Sequence, residues 1–229
     1  MAAGSHIVGL GGAGESDEQT LLLYRYALEL TGKERPRVLF VPTAVGDAAD
    51  GIERFHERCD PIAETAHLPF FPWPPADLRS FALSHDAILV SGGNTANMLA
   101  IWRVHGFDRV LREAWEGGVV LFGASAGLIC WFEAGITDSF GPQLEGMRDG
   151  LGFLAGSACP HYDGEEQRRP RYRELVDGGF PGGIALDDGA GAYYAGTERR
   201  EVVTCRPGAT AHLVDADGET ALEARLLAG

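Results

Sequence analysis

The residues best suited to covalent chemistry are Gly123-Ala124-Ser125-Ala126-Gly127, a GxSxG pattern between the apolar strand 119–122 and the helical run Leu128-Ile129-Cys130-Trp131-Phe132. A strand that turns sharply into a helix holds such a serine in a strained backbone, and small neighbours make room for the turn. At a helix N-terminus the oxyanion formed after attack would be stabilised by the Ala126 amide and the helix dipole. A second amide could come from Ser91-Gly92-Gly93-Asn94-Thr95, which follows another buried apolar run. There the glycines allow close backbone approach, Asn94 or Thr95 can cap the next helix, and both are candidates to contact substrate.

A serine is nucleophilic only beside a base. Among seven histidines, His161 stands out in Ala158-Cys159-Pro160-His161-Tyr162-Asp163, between a short apolar segment and a long polar loop. His56, His85 and His105 read as surface residues and His212 as structural. The acid that orients the imidazole has three candidates. Asp187 and Asp188 follow residues 183–186 at a strand's carboxyl end, and Asp138 lies in Ile136-Thr137-Asp138-Ser139. Each can also serve as a turn former or helix cap.

Other chemistries are disfavoured. Lys33 is the only lysine and sits in a polar loop, so a Schiff base or a Ser-Lys dyad has no candidate. Cys59, Cys130, Cys159 and Cys205 are scattered without a CxxC and read as reduced core thiols, with no metal site. Gly9-Leu10-Gly11-Gly12-Ala13-Gly14 fits GxGxxG, but the second strand ends Val41-Pro42-Thr43 without the carboxylate a dinucleotide ribose needs. A tight turn lining a pocket is the preferred reading, and no cofactor is expected.

These residues need a scaffold. Apolar runs at 7–10, 37–42, 67–71, 87–90 and 119–122 read as strands, and 18–31, 51–59, 95–104 and 107–116 as helices. Shorter strands are expected at 184–186, 192–194, 201–205 and 211–214. The sum is an open, mostly parallel α/β sheet flanked by helices, with antiparallel strands near the C-terminus. Ligands of such folds bind outside the carboxyl ends of the strands. A length of 229 residues without a linker suits one domain over 1–229. A net charge of -14 disfavours nucleic acid as a partner. No apolar run is long enough to span a membrane, and the opening Met1-Ala2-Ala3-Gly4-Ser5-His6 lacks a signal-peptide pattern, so a cytoplasmic protein is expected.

With these motifs in order, the chain resembles the peptidase E family of serine peptidases, which includes α-aspartyl dipeptidases and the related cyanophycinases. The resemblance rests on Ser91-Gly92-Gly93-Asn94-Thr95, Gly123-Ala124-Ser125-Ala126-Gly127, Thr137-Asp138-Ser139, Pro160-His161-Tyr162 and Leu186-Asp187-Asp188-Gly189, and covers roughly residues 7–215. It implies a class I glutamine amidotransferase-like, flavodoxin-like fold with Ser125 in place of a nucleophilic cysteine. It further implies His161 as base, oxyanion amides at Gly93 and Ala126, and a small peptide substrate, with N-terminal Asp as the family's preference. Family members commonly carry Glu where this chain has Asp188, which keeps Asp187 and Asp138 open.

A substrate carboxylate suits a planar guanidinium, and Arg168, Arg169, Arg171 and Arg173 follow His161 closely. The same four could instead form a solvated helix face paired with Glu165, Glu166 and Glu174. The chain is expected as a monomer or homodimer. Two rival readings are a non-catalytic binding protein on the same fold and an esterase using Ser125, Asp138 and His161 in that order.

Overall fold

The computed structural model describes residues 4–228; Met1, Ala2, Ala3 and Gly229, included in the expected leaderless single domain, lie outside the described residues. The first half runs β1 (His6–Leu10), α1 (Asp17–Glu29), β2 (Arg37–Val41), α2 (Ala49–Cys59), β3 (Glu64–His67), α3 (Leu78–Leu83), β4 (Ala87–Val90), α4 (Thr95–His105) and α5 (Phe107–Glu116). Then follow β5 (Val120–Ala124), α6 (Ala126–Ile129), β6 (Phe132–Thr137), β7 (Glu145–Met147), β8 (Leu154–Cys159) and α7 (Arg168–Asp177). The chain closes with β9 (Gly183–Leu186), β10 (Ala190–Ala195), β11 (Glu198–Thr204), β12 (Ala211–Asp215), β13 (Gly218–Ala221) and β14 (Arg225–Leu226).

An eight-stranded sheet has the order β14-β11-β10-β1-β5-β4-β2-β3. From β1 to β3 every pairing is parallel, while β10 runs antiparallel to β1 and β11 antiparallel to β10. All four residues of β4 are buried, as a strand covered on both faces requires. Val8, Leu10, Phe40, Leu89 and Phe122 pack under α1 and α2, while Ile7, Val41, Ile88, Val90 and Leu121 pack beneath α4 and α5. The mixed α/β architecture with a parallel core matches the expected fold class.

Four expectations differ. The strand expected at 67–71 lies earlier, at Glu64–His67, because the Asp47 carboxylate takes the Phe70 and Phe71 amides at 2.5 and 2.9 Å and removes them from the ladder. The helix expected through Phe132 stops at Ile129, and Phe132 begins β6. That strand belongs to a second, six-stranded sheet, order β13-β12-β9-β8-β6-β7, where a single sheet was expected. Phe132, Leu154, Ala158 and Ile184 from this second sheet join the core beneath α4 and α5, so one apolar cluster runs through both sheets. His85, expected on the surface, is 9% exposed with its ring against the Phe81 carbonyl at 2.9 Å.

Candidate active site

Ser125 sits between β5 and α6 with φ 57° and ψ -111°, a left-handed conformation rarely adopted by a non-glycine residue. Such strain costs about 1–3 kcal/mol and persists only where the surroundings enforce it. Here they do. A Cβ on Gly127 would meet the Val90 carbonyl oxygen at 2.4 Å, one on Gly123 would meet the same oxygen at 2.6 Å, and one on Gly9 would strike Leu128 at 2.3 Å. The small residues of the motif thus let α6 pack directly on β4 and β1. The Ser125 amide donates to the Leu10 carbonyl at 3.1 Å, which ties the turn to the end of β1.

The next carbonyl of that strand end holds the histidine. His161, with φ 52°, donates its amide to the Gly11 oxygen at 3.2 Å, so residues 125 and 161 are fastened to adjacent residues. His161 Nδ1 lies 2.6 Å from Asp188 Oδ1, and donation of Nδ1–H to that oxygen leaves Nε2 as the basic atom. Among the described residues no hydrogen bond joins the Ser125 hydroxyl to His161, a contact that often tightens only when substrate binds.

Asp188 is itself held. Its amide donates to Asp163 Oδ1 at 2.8 Å, Arg206 Nη2 donates to its carbonyl at 3.1 Å, and Arg206 also pairs with the Asp163 carboxylate. The other two acids go elsewhere. Asp187 is buried; its Oδ2 accepts the Thr210 amide at 2.9 Å and its Oδ1 lies 3.8 Å from His212 Nε2. Burial raises its carboxyl above the ordinary range, against the pull of the Thr210 amide. Asp138 is exposed just past β6.

Sequence reasoning read residues 9–14 as a tight turn lining a pocket but did not connect it to the acid. A Cβ on Gly12 would lie 1.8 Å from Asp188 Oδ1 and 2.8 Å from His161 Nδ1, and one on Gly11 would meet the Asp187 carbonyl at 2.2 Å. A Cβ on Gly164 would meet Asp188 Oδ2 at 2.0 Å. The glycines are the space in which the imidazole and carboxylate meet. A run of glycines at the end of the central strand was the available signal; Asp163 and Arg206 had none.

Opposite Ser125 lies the turn after β4. A Cβ on Gly92 would stand 3.3 Å from Ser125 Cβ, and Gly93, with φ 127°, has no room for one beside the Ala44 carbonyl oxygen at 2.4 Å. Among the described residues, neither the Gly93 nor the Ala126 amide has a backbone acceptor outside the helices and strands. Asn94 and Thr95, candidates for substrate contact, build this turn. Asn94 Oδ1 caps α4 through the Asn97 amide at 2.8 Å, its Nδ2 donates to the Ser139 carbonyl at 3.0 Å, and Thr95 is 1% exposed. Ser139 Oγ also accepts the Ala96 amide at 3.2 Å, so the Thr137-Asp138-Ser139 motif acts here through its serine.

The arginines that follow His161 are held by carbonyls and carboxylates. All four guanidiniums are committed on or beside α7. Arg168 is 3% exposed and binds the Ile136 carbonyl and Glu165, and Arg169 pairs with Glu219. Arg171 binds the Leu144 carbonyl and Glu174, while Arg173 binds the Asp215 and Gly218 carbonyls and Asp177. The helix-face alternative is the one seen, with Glu165 and Glu174 among the partners. Cys130 is fully buried, and burial raises its thiol well above the ordinary value, which leaves Ser125 as the side chain at the turn. Among the described residues no group of three His, Cys, Asp or Glu side chains is placed to hold a metal ion.

A family model described as peptidase family S51 matches residues 7–202. A Bacillus subtilis (strain 168) protein named uncharacterized peptidase YgaJ is 46% identical over 211 residues, covering 91% of each chain. Among solved structures, a peptidase from an acI-B1 Actinobacterium superposes with a TM-score of 0.71 at 20% identity, over 97% of this chain and 96% of that one. A Listeria monocytogenes EGD-e protein provisionally called peptidase E gives 0.62 at 17% identity, over 86% and 98%. At those identities the two structures speak for the fold.

Proposed function

The chain belongs to peptidase family S51 and is a serine-type peptidase, and from that premise we propose that it is an exopeptidase of short peptides, with dipeptides beginning in Asp as its preferred substrates. Ser125 Oγ attacks the peptide carbonyl while His161 Nε2 takes its proton, and the Gly93 and Ala126 amides receive the oxyanion. Collapse of the tetrahedral intermediate breaks the C–N bond, and the imidazolium returns the proton to the departing amine. Water, deprotonated by the same nitrogen, then releases the acyl group from Ser125. Asp188 holds the tautomer and stabilises the imidazolium.

The observation that carries this reading is the 2.6 Å contact between His161 and Asp188, set beside a strained Ser125 that is fastened to the same strand end. The esterase order through Asp138 has no such contact in its favour. Among the described residues no helix is long and apolar enough to cross a membrane, and a cytoplasmic location with peptides arriving by diffusion belongs to the same proposal.

The test is hydrolysis of Asp-Leu, together with labelling by a fluorophosphonate. Wild type should turn over and be labelled at Ser125; Ser125→Ala should keep its fold and lose about 10⁴- to 10⁶-fold in kcat. An unlabelled Ser125, or unchanged turnover by the alanine variant, ends the proposal.

A further inference from the structure

The turn that carries Asp188 is fastened by side chains where a strand would use its ladder. β9 ends at Leu186 and β10 begins at Ala190, so residues 187–189 cross from the second sheet to the first. Both backbone groups of Asp188 are taken by charged side chains. Its amide donates to Asp163 Oδ1 at 2.8 Å, and its carbonyl accepts from Arg206 Nε at 3.3 Å and Nη2 at 3.1 Å. Arg206 Nη2 also pairs with Asp163 Oδ2, which closes a ring through Asp163, Asp188 and Arg206.

The ring is anchored on the strand ends around the imidazole. Asp163 lies two residues beyond His161, and the Tyr162 amide between them donates to the Leu186 carbonyl at 3.0 Å. Arg206 follows β11, where the Cys205 amide and Thr204 Oγ1 donate to the Gly189 carbonyl at 2.9 and 3.1 Å. Gly189, with φ 76°, lets the arginine stem lie against it, since a Cβ there would stand 3.3 Å from Arg206 Cβ. On the outer side Arg206 Nε lies 3.9 Å from Glu15 Oε1, in the loop after β1.

An aspartate has a single methylene, so its backbone sets where its carboxylate stands. Asp188 Oδ1 meets His161 Nδ1 at 2.6 Å in the gap left by Gly12 and Gly164, and a small retreat of the turn would part them. We infer that Asp163 and Arg206 are positioning residues, a clamp that holds the Asp188 backbone at the distance from which its carboxylate reaches the imidazole. The inference rests on the reading of Asp188 as the acid of the site and extends it to the groups that place it. A guanidinium suits the task because its planar fork reaches a carboxylate and a carbonyl at once, whereas an ammonium is a point charge on a flexible stem. The Asp163 carboxylate balances the charge, so the turn is held without a net charge added beside the His161–Asp188 pair. Relaxation by about 1 Å is enough to matter, since misplacement on that scale can cost about 100-fold in rate.

Two readouts follow the clamp without relying on a particular peptide. One is the rate at which a fluorophosphonate labels Ser125. The other is the downfield proton NMR signal of His161 Nδ1–H held by Asp188, assigned by its absence in His161→Gln. Arg206→Gln and Asp163→Ala should each slow labelling by about 10- to 100-fold and shift or broaden that signal, with circular dichroism confirming the fold. Arg206→Lys should resemble Arg206→Gln, because charge without the fork does not hold the carbonyl. Arg225→Gln, which breaks an ion pair with Glu201 of the same β11, should leave both readouts as in wild type. Asp188→Glu should slow labelling in the wild-type background but restore part of the rate in Arg206→Gln, whose freed turn can retreat by the added methylene. The inference is overturned by a signal that Arg206→Gln does not move, or by labelling of that variant within about 3-fold of wild type. An Arg206→Lys protein equal to wild type, or an Asp188→Glu change that slows both backgrounds alike, overturns it too. Failure of the nucleophile reading shows separately, as a wild type that keeps the signal but is never labelled.

Discussion

At the scale of single residues, the site is made by two strained backbones and by missing Cβ atoms. Ser125 and His161 both hold positive φ, which the surrounding hydrogen bonds must enforce at about 1–3 kcal/mol each. Asp188 is one methylene shorter than the glutamate the peptidase E resemblance implies, so its backbone must come nearer to the imidazole. Gly12 and Gly164 permit that approach, since either would collide with the carboxylate if it carried a Cβ. Loss of the charge at Asp188 should therefore cost more than loss at the other aspartates. Asp188→Asn should lower kcat by about 10⁴-fold through the wrong tautomer. Asp138→Asn should stay near wild type, because its carboxylate is exposed and unattached to the imidazole. Steady-state rates on Asp-Leu decide this, and the reverse ranking would move the acid's role to Asp138.

At the scale of elements, strand ends are set by a few polar ties. The Asp86 carboxylate, just before β4, accepts the Arg37 amide at the start of β2 and the Lys33 ammonium, both at 2.8 Å. Burial pushes its carboxyl up, but those donors outweigh burial and hold it below the ordinary value. A depressed folded pKa means stabilisation that is fully present above the unfolded value, near 3.9, and is lost as pH falls through the folded one. Asp86→Ala should thus lower stability by about 1–2 kcal/mol at pH 7 and by much less near pH 2. Urea midpoints at the two pH values test it; an equal loss at both would mean the effect is packing, not charge. On the neighbouring side, Ser139 and Asn94 tie the loop after β6 to the start of α4, so the turn that carries Gly93 is fixed from two directions.

At the scale of the whole molecule, the two sheets share one apolar cluster, and the proposed site straddles them. Ser125 comes from the first sheet, and His161 and Asp188 follow β8 and β9 of the second. Separation of the sheets would therefore both expose that core and take the base away from the nucleophile. The expected outcome is a single unfolding transition with equal calorimetric and van't Hoff enthalpies, and activity lost in step with it. Two resolved transitions would show that the sheets are independent units.

Much of this was legible along the chain. Continuous apolar runs locate the buried parallel strands, because a strand covered on both faces has no polar side to show. The small residues around Ser125 mark a turn that bulky ones could not make, and the polar loop after His161 marks a strand's open end. Other features had no local signature. Which aspartate meets His161 depends on how β9 aligns with β8, and whether the arginines of α7 are free depends on carbonyls and carboxylates from distant strands. The unpaired Arg58 Nε and Ser91 Oγ, from residues that line one cavity among the described residues, likewise exist only once α2 is folded over the sheet. Periodicity and residue size are written residue by residue, so sequence alone determined most strands and helices of the parallel sheet and the nucleophile candidate. Hydrogen-bond partners far apart in the chain are chosen by packing and register, so tertiary structure alone decided which aspartate meets His161, how the arginines of α7 are paired and where the cavity opens.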